Sequence, residues 1–175
     1  MITEYKYTVD ELKKLLQGMV ILVDSREKQN QHILDYFKKH RIAYEVTKLD
    51  YGDYSVKVPV VAGQDLYFHR EIVVERKASF EELSGNLAQK REQFEKEFLK
   101  ACNDSCKVYL MVEDSKGYSG IMNHQYRTEL NPVSFVASLR TFEHRYNANI
   151  QFIDPSNAGY YIYSTLYYYL RERLK

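Results

Sequence analysis

Met19–Val23, MVILV, is an unbroken apolar run that passes directly into Asp24-Ser25-Arg26-Glu27. A strand with no polar residue on either side is buried on both faces, so the sheet it belongs to must carry a cover above and below. Helical patterns elsewhere supply that cover. Val9–Gln17 opens behind Thr8 as N-cap, and Gln31–His40 places Ile33, Leu34 and Phe37 on one side. A long helix is predicted over Phe80–Ala101, with Leu83, Leu87, Phe94 and Phe98 on one stripe, and two more over Val133–Tyr146 and Ala158–Leu174. Further strands are expected at Ala43–Leu49, Tyr54–Val61, Leu66–Arg76, Lys107–Val112 and Asn149–Ile153. The expected fold is α/β, a central mixed β-sheet flanked by helices.

With 175 residues, 45% of them hydrophobic and including 17 Tyr and 8 Phe, the chain can bury a real core. It has no repeat, low-complexity tract or Gly/Ser linker, so one domain over residues 1–175 is expected, with no helicase and no helix-hairpin-helix module. A formal charge of +1 argues against holding nucleic acid by bulk charge alone, but a basic face beside an acidic site would cancel in the sum. Cys102 and Cys106, in CNDSC, lack the partners of a four-ligand zinc site and read as reduced thiols. No apolar run is long enough for a bilayer, and MITEYKYTVDELKKLL lacks the order of a signal peptide. A soluble, cytoplasmic protein with no membrane partner is expected.

The chemistry centres on GDY at Gly52–Tyr54 and VERK at Val74–Lys77. The strong turn signal between them, Ala62-Gly63-Gln64-Asp65, would fold a hairpin about residue 64 and set Asp53 opposite Glu75. Facing residues of an antiparallel pair have Cβ atoms roughly 5 Å apart, close enough for two carboxylates to share a divalent cation. Lys77 projects from the same strand face as Glu75. Pro59 cannot donate to a ladder, so it implies an edge or a bulge that would shift this register. Two acids and a lysine at one point suit phosphodiester hydrolysis, in which acids hold a hard cation and an ammonium orients water or neutralises the phosphate. Asp24 ends the first buried strand, where an α/β sheet tends to place its site, although taken alone this segment reads as the cap of the next helix by Asp24 or Ser25.

Taken together, VDSRE, LDYGDY and VERK resemble, in order and spacing, the nuclease domain of the XPF family of structure-specific endonucleases, a branch of the restriction-endonuclease-like PD-(D/E)xK superfamily with GDY…ERK as its variant. The resemblance implies that Asp53 and Glu75 are metal ligands joined by Asp24, that Lys77 is the catalytic lysine, and that Arg26 and Glu27 form the arginine–acid pair. It also implies Mg²⁺ or Mn²⁺ as cofactor. Arg76 matches the motif's arginine, and its side chain should point off the metal face. The family's usual aspartate after ERK is replaced by Glu81, a candidate for supporting the site, whereas Ser79 and Glu82 fit a capping box.

On the following helix, alternating Lys90, Arg91, Lys96 and Lys100 among Glu92, Glu95 and Glu97 reads as a self-paired solvated face; Lys90 and Arg91, nearest the site, are candidate DNA contacts. The closing helix carries Tyr160, Tyr161, Tyr163, Tyr167, Tyr168 and Tyr169, which suit core packing first, then a homodimer interface, as the resemblance implies pairing, and base stacking third. No histidine is assigned a role. The expected function is metal-dependent endonucleolytic cleavage of branched, flapped or forked DNA in repair, recombination or replication. The alternatives are an idle DNA-binding or dimerisation subunit of the same fold, and a junction resolvase-like nuclease. An idle copy would be expected to lose one of Asp53, Glu75 or Lys77, and all three are present.

Overall fold

The computed structural model describes residues 7–59 and 63–175; Val60, Val61 and Ala62, where a strand end and the start of a turn are expected, lie outside the described residues. In chain order the elements are α1 (Val9–Gln17), β1 (Val20–Asp24), α2 (Gln31–Lys39), β2 (Ala43–Thr47), β3 (Tyr54–Pro59), β4 (Asp65–Tyr67) and β5 (Ile72–Lys77). Then come α3 (Phe80–Ala88), α4 (Arg91–Asn103), β6 (Lys107–Val112), α5 (Gly117–Met122), α6 (Pro132–Tyr146), β7 (Asn149–Phe152), a 3-10 turn (Pro155–Asn157) and α7 (Ala158–Arg173). The sheet runs β2-β1-β3-β5-β6-β7, with β4 beside β3. Pairing is parallel at β1–β2, β5–β6 and β6–β7 and antiparallel at β1–β3 and β3–β5.

The burial demanded by MVILV is met. Ile21 and Val23 pack with Ile33 and Phe37 of α2 and with Ile162, Leu166 and Leu170 of α7. On the opposite face of the sheet, Val73, Val108, Leu110 and Val112 meet Phe80, Leu83 and Leu87 of α3, Phe94 and Phe98 of α4, and Phe135, Leu139 and Phe142 of α6. The architecture is the expected α/β one, a mixed sheet between two helical layers. Among the described residues no helix is long and apolar enough to cross a membrane.

Two expected elements differ, and α5 has no counterpart among the expected elements. The helix predicted over residues 80–101 is two helices, broken at Gln89 and Lys90, whose amides both donate to Gly85 O. Leu87 and Phe94 stand seven residues apart, two helical turns, so the apolar phase runs through the break and periodicity hides it. The strand predicted over residues 66–76 is interrupted at Phe68–Glu71, because Phe68 turns its ring into the α7-side core and its carbonyl accepts from both Glu71 N and Ile72 N.

Candidate active site

The expected pairing of the GDY and VERK strands is present, but it arises differently. β3 and β4 pair Lys57 with Tyr67 and Pro59 with Asp65, which centres the hairpin two residues before the expected point. Residues 68–71 then leave the ladder, and β3 and β5 resume with Tyr54 facing Val74. That register sets Asp53 abreast of Glu75. Gly52 makes the approach possible: its φ is +71°, and a Cβ there would lie 2.6 Å from Val73 Cβ. With no side chain in the way, Asp53 N reaches Val74 O at 2.9 Å and Asp53 O accepts from Asp24 N at 2.8 Å. The Asp53 carboxylate turns onto β5, where Oδ2 accepts from the amide of Arg76 at 2.7 Å.

Alternation along β5 divides the next three side chains. Glu75 and Lys77 face the α4 layer, with Lys77 Nζ 2.9 Å from Glu75 Oε1 and 4.9 Å from the Phe94 ring centre. Arg76 points to the other face, as expected, where it donates to Glu27 Oε1 at 2.9 Å and to both oxygens of Glu113. Glu27 and Asp53 line the same cleft, close enough for each to act on the other's carboxyl. Asp24, Arg26, Glu27, Asp53, Glu75 and Lys77 all line one open cleft of about 580 Å³ at the carboxyl ends of β1 and β5.

Charge is crowded here. Burial, followed by the charges of Glu75 and Glu27, pushes the Asp53 carboxyl well above the usual carboxylate range. Burial also raises Glu27, against the opposing pull of Arg76. Burial would discharge Lys77, but the Glu75 carboxylate beside it outweighs that and raises its pKa. Lys77 is therefore a fixed cation. Burial would raise Asp24 too, yet the hydrogen bonds from the Arg26 side chain and the Leu49 and Arg26 amides hold it below its ordinary value.

Asp24 Oδ1 accepts from Arg26 N and Nε, and Oδ2 from Arg26 Nη2 and Leu49 N, so each oxygen already takes two of the protein's own donors. Arg26 spends its guanidinium on Asp24 and on Leu49 O. Glu81 lies away from the cleft, accepting from Arg127 N at 3.3 Å, and the neighbouring Glu82 reaches it instead, 3.7 Å from Lys77 Nζ. Glu82 also accepts from Ala78 N beside its capping contact with Ser79, so cap and cleft share one residue. Lys90 lines the cleft, whereas Arg91 turns to Glu95 and to Ser138 of α6.

Three residues escaped the sequence reading. Glu97 belongs to the α4 face expected to be self-paired; Glu92 does pair with Lys96 and Glu95 with Arg91, but Glu97 has no ion-pair partner among the described residues. Glu97 lines the cleft instead, raised first by burial and then by Glu75. Glu113 and His32 meet at 2.8 Å beside Arg76, and no spacing rule links residues so far apart in sequence. An apolar strand ending in an acid, VYLMV-Glu113, was the available signal, the same one that marks Asp24 after MVILV.

Fold and site together define a class: an α/β domain with a mixed sheet between helices that gathers carboxylates and a lysine at the carboxyl edge of that sheet. The chain belongs to the ERCC4 domain family, whose model matches residues 23–164. Among solved structures, XPF from Aeropyrum pernix matches with a TM-score of 0.64 at 19% identity, covering 87% of this chain, which spans 65% of that one. XPF from Aeropyrum pernix in complex with DNA also matches with a TM-score of 0.64 at 19% identity, over 89% of this chain and 67% of the other. No curated protein sequence matches.

Proposed function

We propose that this chain is a metal-dependent endodeoxyribonuclease that hydrolyses phosphodiester bonds in branched, flapped or forked DNA, in repair, recombination or replication. The observation that carries the reading is the meeting of Asp53, Glu75 and Lys77 at one point of the cleft. The donor set fits Mg²⁺ or Mn²⁺. Asp53 and Glu75 offer hard oxygens, and their crowding with Glu27 is the kind that a cation relieves. Among the described residues no group of three or more His, Cys, Asp or Glu side chains is gathered to hold a metal ion. Mg²⁺ usually takes one or two carboxylates and completes its shell with water and phosphate oxygens. When bound, the cation supplies a polarised phosphoryl oxygen and a hydroxide nucleophile.

The chain's own groups do the rest. Asp53 is fixed by the Arg76 amide, so its free oxygen has one direction. Lys77, a fixed cation, donates hydrogen bonds to a phosphate oxygen or to the attacking water and takes no proton from it. Lys90 and Lys28 on the rim supply positive charge where a phosphate backbone would enter. DNA as the partner draws support from the DNA complex of the Aeropyrum pernix protein. We further infer a homodimer in which a second copy covers the groove beside α7.

A panel of labelled flaps, forks, four-way junctions and plain duplexes, incubated with Mg²⁺, with Mn²⁺ or with EDTA, tests the reading. Cleavage should require the cation, favour branched substrates, and vanish in Asp53→Asn while DNA affinity and fold persist. Metal-independent cutting, or an Asp53→Asn enzyme of normal rate, would overturn it.

A further inference from the structure

Glu113, one residue past β6, is a buried acid outside the three motifs and outside the chemistry proposed above. Its side chain is 4% exposed and its amide donates to Lys77 O at 2.8 Å, so it is tied to the same strand end as the cleft. Oε1 accepts from Arg76 Nε at 2.7 Å, and Oε2 from Arg76 Nη2 at 3.2 Å. His32 Nε2 holds Oε1 from the other side at 2.8 Å. The remaining arm of the same guanidinium, Nη1, donates to Glu27 Oε1 at 2.9 Å. A guanidinium is planar with its donors in a fixed fork, so gripping one edge sets the direction of the other. Released from Glu113, Arg76 would be free to swing toward the carboxyls of Glu27 and Asp53 and occupy acceptor positions there.

We propose that Glu113 is a positioning residue of the nuclease centre: by gripping Arg76 from behind, it seats Glu27 against Asp53 and keeps the guanidinium off the Asp53 oxygen that faces the cleft. The proposal rests on the nuclease reading. It distinguishes Glu113 from an ordinary buried ion pair, whose loss lowers stability without touching the cation response. Outer groups that orient ligands typically change metal affinity or activity by about 10–100-fold when removed.

The test compares the full chain with Glu113→Gln and Glu113→Asp. Mn²⁺ alone, titrated without DNA and followed by the paramagnetic resonance of the free ion, should half-saturate Glu113→Gln at a concentration about 10–100-fold higher than wild type. In single-turnover cleavage kcat should fall by a similar factor with KM for DNA unchanged, and Glu113→Asp, which keeps the charge, should recover part of both. In the metal-free protein, the Arg76 Nε–H resonance should lose its protection from solvent exchange in Glu113→Gln. Combined with Glu27→Gln, the second substitution should add little, because both act through Arg76. A Glu113→Gln protein with wild-type Mn²⁺ response and kcat, or losses that multiply in the double variant, would overturn the proposal. Should Glu113→Gln fail to fold, Glu113→Asp and its own cycle with Glu27→Gln decide by the same criteria. Failure of the parent reading looks different: the wild type itself would bind no Mn²⁺ and cut nothing.

Discussion

Lys77 and Asp24 show how a neighbour's charge assigns a role. Lys77 is buried, and burial alone would make it a neutral amine able to accept a proton, but Glu75 Oε1 at 2.9 Å keeps it an ammonium. In the proposed reaction it would act by charge, and removing one preorganised donor of this kind costs about 10²–10³ in kcat. Lys77→Ala should show that loss with little change in DNA or Mn²⁺ binding, and Lys77→Arg should keep part of the rate; an arginine variant as inert as the alanine one would point to a proton-transfer role. Asp24 is the reverse case, an acid whose own hydrogen bonds hold it ionised and engage both its oxygens. Asp24→Ala would leave the Leu49 amide without its partner, at a cost of about 1–3 kcal/mol in urea unfolding. Because the folded Asp24 carboxyl lies below its unfolded value of about 3.9, its contribution is complete above that pH and fades as the pH falls through the folded value. The gap between wild type and Asp24→Ala should therefore close in strong acid. An unchanged stability at neutral pH combined with lost Mn²⁺ binding would place Asp24 among the metal ligands.

At the scale of elements, the approach of the Gly52–Asp53 bend to β5 sets the site. Gly52→Ala would place a methyl 2.6 Å from Val73 Cβ at a positive φ, with a cost on the order of 1–3 kcal/mol for the backbone alone. It should also shift Asp53, and a misplacement near 1 Å can cost about 10²-fold in rate. Gly63→Ala is the control: its φ is +83° but nothing lies within 4 Å of a Cβ, so stability should fall while the rate stays. Equal rates for the two variants would show that the approach does not matter. The sequence made the partners of this bend readable, since GDY and VERK are short, polar and set in apolar strands. It did not reveal the route between them. The Phe68–Glu71 excursion depends on one ring entering a distant core, and a shift of the turn by two residues was compensated by four residues leaving the ladder. Glu113 stayed hidden for a related reason: parallel pairing of β5 and β6 brings it beside the motif across a long connection that local pattern cannot follow.

At the scale of the whole molecule, α7 decides between a closed domain and an open surface. Ile162, Leu166 and Leu170 are fully buried against the sheet, and Tyr161, Tyr163, Tyr167 and Tyr169 pack against the same core, so most of the tyrosine-rich helix serves its own domain. What it leaves is a groove of about 740 Å³ between α7 and β6, lined by Tyr109, Tyr161, Tyr168 and Tyr169, with Lys107, Glu172 and Arg173 at its rim. Tyr168 is 50% exposed, and Arg171 stacks on its ring 4.7 Å from the centre. Aromatic faces bordered by both signs of charge can meet a copy of themselves across a two-fold axis without like charges facing. A specific interface there would bury on the order of 1,600 Å² in total. Light scattering at micromolar concentration should accordingly give twice the chain mass, and Tyr168→Glu, which puts a charge on the groove's lining, should return the monomer while the chain keeps its fold and its proposed Mn²⁺ binding. A wild-type chain of monomer mass across that range would remove the dimer, and the groove would then be the exposed flank of a helix whose packing is complete.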